Sequence, residues 1–168
     1  MATYYARNVT GNWATTSSWD TVSSGGAGPA GPPIAGDTAI FDSGFTGNIT
    51  VAAAAECAIV TVQAGATGTL ALGTQNLTMT GNLTLVSGFF LTGTTGAIRI
   101  SGTVRLTTGG LALPNLFFMG GTTCTLADNL TISGTFNFPA SYCTMVGAFN
   151  ITCANLVVNT FAYFNFVA

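Results

Sequence analysis

The sequence predicts an all-β chain, folded as a parallel β-solenoid of about 21 residues per coil, within the period range of repeat architectures, behind an irregular N-terminal cap. Three observations carry this expectation. Short strings alternate apolar and polar residues, the period of a strand with one buried face. Gly and Asn punctuate those strings, and no stretch has the spacing of an amphipathic helix. One string also recurs at a fixed interval, the mark of a repeat architecture.

Residues 1–46 are expected to form an N-terminal cap or attachment unit. They hold both tryptophans, three of the five prolines and three of the five carboxyl side chains. The run Ser23-Ser24-Gly25-Gly26-Ala27-Gly28-Pro29-Ala30-Gly31-Pro32-Pro33 excludes helix and central strand, because proline cannot donate to a ladder and glycine weakens one. Trp13 and Trp19 have two readings. They form an aromatic platform for a ligand such as a sugar, or they close an end of the solenoid that would otherwise expose apolar side chains and unpaired strand edges. Closing an end is the commoner use of such residues.

Residues 47–168 are expected to form the repetitive strand domain. Leu77-Thr78-Met79-Thr80-Gly81-Asn82-Leu83-Thr84-Leu85 is matched by Ile98-Arg99-Ile100-Ser101-Gly102-Thr103-Val104-Arg105-Leu106. The next match is Leu130-Thr131-Ile132-Ser133-Gly134-Thr135-Phe136-Asn137-Phe138. The last is Ile151-Thr152-Cys153-Ala154-Asn155-Leu156-Val157-Val158, one corner residue short. The four units begin at 77, 98, 130 and 151, so the steps between them are 21, 32 and 21. Each unit is an alternating string, a small–Gly–polar corner and a second alternating string. The corner is too short for a crossover, and glycine supplies the dihedrals of a bend. Coils stacked about 4.8 Å apart would place Leu77, Ile98, Leu130 and Ile151 in one inner column. Thr78, Arg99, Thr131 and Thr152 would form an outer one.

The step of 32 exceeds the others by 11 (32 − 21), and the surplus falls within 107–121. This apolar stretch, which includes Phe117 and Phe118, is either a longer, buried coil or an exposed loop that contacts a neighbouring subunit. A β-sandwich or jelly roll is the alternative architecture, since short alternating strands with frequent turn signals describe it too. The self-match at a step of 21 favours the solenoid.

Composition narrows the function. Charged residues make up 5% of the chain, against about 25% in an ordinary soluble domain. With three Arg and no Lys there is no basic patch, so neither nucleic-acid phosphates nor an anionic membrane surface is an expected partner. No run of about 20 apolar residues is present to span a membrane as a helix. The opening stretch, Met1 to Arg7, lacks the pattern of a signal peptide, so neither export by that route nor membrane insertion is expected. Cys57, Cys124, Cys143 and Cys153 have no metal or redox spacing and read as small core residues.

No enzyme is expected either. A glycosidase needs two carboxyls facing each other across a groove. Asp37 and Asp42 instead flank one strand at an odd separation, and Asp128 stands at a coil corner, both typical of turn-capping side chains. Asp20 and Glu56 complete the carboxyl set. There is no His or Lys to act as base for a Ser or Cys nucleophile, and no metal or cofactor is expected. Asn-x-Thr triplets at Asn8, Asn48, Asn76, Asn82, Asn129 and Asn150 are better explained by the strand repeat than by glycosylation. The segment Phe161-Ala162-Tyr163-Phe164-Asn165-Phe166-Val167-Ala168 is aromatic, alternating and uncharged, which is hazardous when bare. Phe161, Tyr163, Phe164 and Phe166, with Phe117 and Phe118, are therefore candidates for an oligomer interface, expected to be that of a homotrimer.

The motifs Gly11-Asn12-Trp13, Ser18-Trp19-Asp20, Gly36-Asp37-Thr38-Ala39-Ile40-Phe41-Asp42 and Gly47-Asn48-Ile49-Thr50-Val51 precede stacked coils that include Leu126-Ala127-Asp128-Asn129-Leu130-Thr131. This arrangement resembles the tail-fibre-like and structural repeat proteins of bacteriophage virions. It is also similar to the opening of autotransporter-type β-helix repeats. The resemblance implies a non-catalytic virion surface protein of a tailed phage: a capsid decoration or cement protein, or a short fibre-like appendage. It would assemble in the host cytoplasm, with itself and with other virion proteins such as the major capsid or tail protein. The alternative it implies is a host-surface or glycan-binding module of a tail fibre or adhesin, the latter at the bacterial cell surface.

Overall fold

The computed structural model describes residues 1–26, 28–138, 143–147, 149–158 and 164–167. Three parallel sheets wind around one apolar interior. The first sheet runs through Thr3–Ala6, Thr38–Phe41, Ile59–Val62, Leu83–Thr84, Thr103–Thr107, Thr122–Leu126, Cys143–Val146 and Phe164–Val167. The second holds Thr10–Asn12, Asn48–Thr50, Thr69–Ala71 and Phe90–Thr92. The third passes from Ala55–Cys57 through Leu77–Met79, Ile98–Ile100 and Leu116–Phe118 into the two longest strands, Leu130–Phe138 and Ile151–Val158.

The coil length is read directly from the registers. Thr38 pairs with Ile59, Asn48 with Thr69, Thr69 with Phe90 and Leu77 with Ile98, each a step of 21. Among the described residues every strand pair is parallel except Thr3–Ala6 with Trp19–Asp20. A sandwich is built of antiparallel sheets, so the parallel registers decide for the solenoid. The alternation works as the strand period requires. Leu77 and Met79 are buried while Thr78 between them is half-exposed, and Val60 and Val62 are buried beside Ile59 and Thr61.

The registers correct the columns. Ile98 pairs with Leu116, not with Leu130; Leu116 pairs with Phe136, and Phe136 with Leu156. The inner column of the third sheet is therefore Leu77, Ile98, Leu116, Phe136 and Leu156. Beside it on the outside stand Glu56, Thr78, Arg99, Phe117, Asn137 and Val157. Leu130 and Ile151 share a different column, as do Thr131 and Thr152.

The cause is that one sequence unit serves two corners. In 77–85 and 98–106 it turns from the third sheet into the first. In 130–138 and 151–158 it lies along the third sheet itself. The surplus in the step of 32 is therefore a change of phase around the axis. It is not an exposed loop, since Leu113, Leu116 and Phe118 are fully buried.

The two Ser-Gly-Thr triplets show the difference. Gly102 sits at φ +82° and makes a true corner. Gly134 has no such dihedral and lies inside Leu130–Phe138, beside the register shift between Ile132 and Thr135. A Cβ there would collide with Asn115 Oδ1 and the Pro114 carbonyl. Ala112–Leu113 and Leu116–Phe118, separated by Pro114 and Asn115, both pair with Leu130–Phe138, in which only this bulge stands between the two halves.

The first rung lies inside 1–46. Thr10 pairs with Asn48, a step of 38 where its neighbours step 21. The surplus of 17 (38 − 21) leaves the coil as an excursion and returns in register. This excursion carries Trp19–Asp20, whose antiparallel pairing covers the outer edge of Thr3–Ala6.

Candidate functional site

Trp13 and Trp19 close the N-terminal end from inside. They are 3% and 0% exposed and meet edge to face, with ring centroids 4.8 Å apart. The Trp19 indole donates to the Trp13 carbonyl at 2.7 Å, and the Trp13 indole to the Pro33 carbonyl at 3.2 Å. Trp19 continues into Phe41 at 6.1 Å, and Phe41 into Phe45 and Phe89 at 5.0 and 5.2 Å. Neither indole face is open to a sugar. The glycine-rich run folds back over them because the Asp20 carboxylate accepts from Val22 N at 2.8 Å and Gly28 N at 3.1 Å. A side chain at Gly26 would collide with that carboxylate.

Beside this pair lies a shallow groove of about 270 Å³, walled by Trp13, Pro32, Pro33, Ile34, Ala54 and Glu56 among others. Glu56 and Ile34 are exposed at its rim. Of the candidate ligand residues named from the sequence, Trp13 lines this groove and Trp19 does not. Its walls come from three separated stretches that only the excursion and the first full coil bring together.

The carboxylates and corner amides serve the backbone. Asp128 accepts from Thr108 N at 2.9 Å, Thr108 Oγ1 at 3.1 Å and Gly109 N at 2.7 Å, tying one coil to the coil below. Asp37 accepts from Ala2 N at 2.7 Å, and Asp42 from Ser24 N at 2.8 Å. Asn76, Asn82 and Asn129 accept from Ala97 N, Arg105 N and Asn150 N at 3.2, 2.8 and 3.0 Å, each one coil on. Asn115 does the same for Thr135 N at 2.7 Å and donates to the Gly96 carbonyl at 3.0 Å. The Asn-x-Thr triplets at Asn76, Asn82 and Asn129 are therefore the sequence trace of a side-chain ladder at the corners, whereas the buried Asn48 Oδ1 has no hydrogen-bond partner.

Cys57 and Cys124 are buried and Cys153 half-buried. Burial, with a smaller contribution from the nearby Asp37 charge, pushes the Cys57 thiol from its ordinary 9.0 up to about 12. Among the described residues no group of three or more His, Cys, Asp or Glu is placed to hold a metal ion.

The candidate interface residues separate. Phe118 is core, not surface: it is fully buried, with its ring 5.3 Å from Phe136 and 5.5 Å from Phe138. It follows its neighbours inward because it lies at the buried parity of Leu116–Phe118. Phe117, one residue earlier, is half-buried on the outside, under the Arg99 guanidinium at 5.9 Å. Phe164 and Phe166 lie on Phe164–Val167, paired in parallel with Cys143–Val146. Phe161 and Tyr163 lie outside the described residues. The sequence did not single out Leu156, Val157 and Val158, which are 60%, 38% and 50% exposed on the outermost described strand of the third sheet.

No family model matches this chain, and neither a curated protein nor a solved structure does. Among the described residues no helix is long and apolar enough to cross a membrane.

Proposed function

We propose that this chain is a non-catalytic structural protein of a tailed-phage virion surface, a decoration protein or short appendage that works as a rigid spacer. The observation that carries this reading is the use to which its polar side chains are put. All four aspartates accept backbone amides, and Asn76, Asn82, Asn115 and Asn129 each tie one coil to the next. Such a body resists local opening, because the strand ladders are reinforced by these corner bonds. The nearly uncharged exterior suits packing against other virion proteins and other copies of itself. Labelling of intact particles with an antibody against the chain tests this. Label over the head or a short appendage supports the reading, and label on no particle overturns it.

The groove beside Trp13 favours a second reading, a host-surface or glycan-binding module. Its apolar floor and one exposed carboxylate would suit a saccharide or an exposed peptide. Saturable binding to host cells or polysaccharide, lost on Ile34→Glu or Glu56→Gln, would support it. Trp13→Ala is unsuitable for this purpose, because it would disrupt the cap.

A further inference from the structure

Ile151–Val158 has one described partner, Leu130–Phe138. The register sets Ile151, Cys153, Leu156 and Val158 over Leu130, Ile132, Phe136 and Phe138, four buried residues. Leu156 and Val158 thus occupy inward positions, yet they are 60% and 50% exposed because no described rung covers them. The strand reads Ile-Thr-Cys-Ala-Asn-Leu-Val-Val, with neither the charge nor the proline that protects natural edges. The one described strand that follows, Phe164–Val167, belongs to the first sheet and leaves this edge bare.

We propose that this edge is a self-association surface, on which the same strand of a second copy pairs antiparallel across a two-fold axis. Two features select that occupant. The first is self-complementarity, which a two-fold interface requires. The register shift between Ile132 and Thr135 breaks the alternation, so the inward positions are 151 and 153, then 156 and 158. That pattern is a palindrome about the 154–155 peptide bond. Antiparallel pairing centred there puts Ile151 against Val158 and Cys153 against Leu156, inward on inward. Thr152 meets Val157 on the outside. An unbroken alternation would set inward against outward in the same register.

The second feature is the opposite end. Trp19–Asp20 covers the first-sheet edge there, and the buried tryptophan pair closes the interior. A two-fold contact uses the same edge of both copies and therefore closes at two.

The inference rests on the structural reading above, and sedimentation of the full chain tests it separately. We expect a particle of twice the 17.0 kDa chain mass that dissociates on dilution. Leu156→Lys should abolish it while leaving the circular dichroism of the single chain intact, since Leu156 is already exposed there. Val22→Lys, at an exposed site on the capped end, should leave it unchanged. Mixed Ala154→Cys and Asn155→Cys chains should crosslink to each other faster than either does to itself. A monomer at all concentrations, a trimer, open-ended polymers, or a dimer indifferent to Leu156→Lys would each overturn the pairing. Particle labelling that persists alongside such a result leaves the structural reading standing. A dimer with no labelled particle leaves only the pairing.

Discussion

The two ends of this solenoid are finished in opposite ways. At the N-terminal end the chain departs from its coil, lays an antiparallel strand along the first rung and seals the interior with two indoles. At the other end Leu156 is the last described residue of the third sheet's inner column, and it stands half-bare over the buried Phe136. The contrast teaches that stacking stabilises a rung only when it is covered on both sides, so equal residues in one column are not worth equal amounts.

Substitutions at the two ends give the largest test of that contrast. Trp19→Ala should cost about 3–5 kcal/mol, as for a fully buried aromatic, in urea unfolding. Leu156→Ala should cost less than about 1 kcal/mol in the single chain. Similar losses at both sites would mean that the open end is covered after all.

Gly134→Ala comes next. The collision with Asn115 and Pro114 should cost about 1–3 kcal/mol, the usual range for overpacking. Gly147→Ala should cost a similar amount in the same unfolding experiment, because an L side chain is strained at its φ of +125° and would also press on Phe149 and the Leu126 carbonyl.

Alkaline titration separates the ends by chemistry. The Cys57 thiol is pushed up to about 12 in the folded chain from an ordinary 9.0. A raised thiol pKa means that folding favours the protonated form. Its contribution is therefore full below pH 9 and is lost as the pH rises toward 12. At pH 10 the wild type should have lost about 1.4 kcal/mol through this group, one unit above the unfolded value. Cys57→Ala should remove that slope from a melting-temperature profile. Iodoacetamide at pH 8 should reach Cys153 well before Cys57.

The smallest effect concerns the corner ladder. Asn82→Ala leaves Arg105 N without its acceptor and should cost about 0.5–1.5 kcal/mol. Asn150→Ala, where no described rung lies above, should cost under about 0.5 kcal/mol by the same thermal measurement. Equal losses would show that the ladder works within coils and not between them.

The coil length and the parallel architecture were legible in the sequence, because period-2 alternation recurring at a fixed step leaves few other folds. The assignment of Leu130 to the column of Ile98 was not legible. An alternating string, a small corner and another alternating string describe any corner of a solenoid, so similarity gave the kind of element but not its place around the axis. Phe118 was misplaced for the same reason: hydrophobicity marked it, but only the register of Leu116–Phe118 shows that it faces inward while Phe117 faces out. The groove was invisible because its walls are distant in sequence. The exposed edge was invisible because exposure at Leu156 depends on its place in the last described rung of the third sheet, which no local pattern encodes.

The excursion between Thr10 and Asn48 carries a wider consequence. Its surplus chain leaves at one corner and returns without disturbing a single register below. A body that accepts such a detour behaves like a rack: its frame fixes the slots, and a slot can hold a loop whose ends meet. Variation in what such a body presents to its surroundings can then accumulate in the exposed residues of a loop, while residues that pack inward, as Trp19 does, stay tied to the frame.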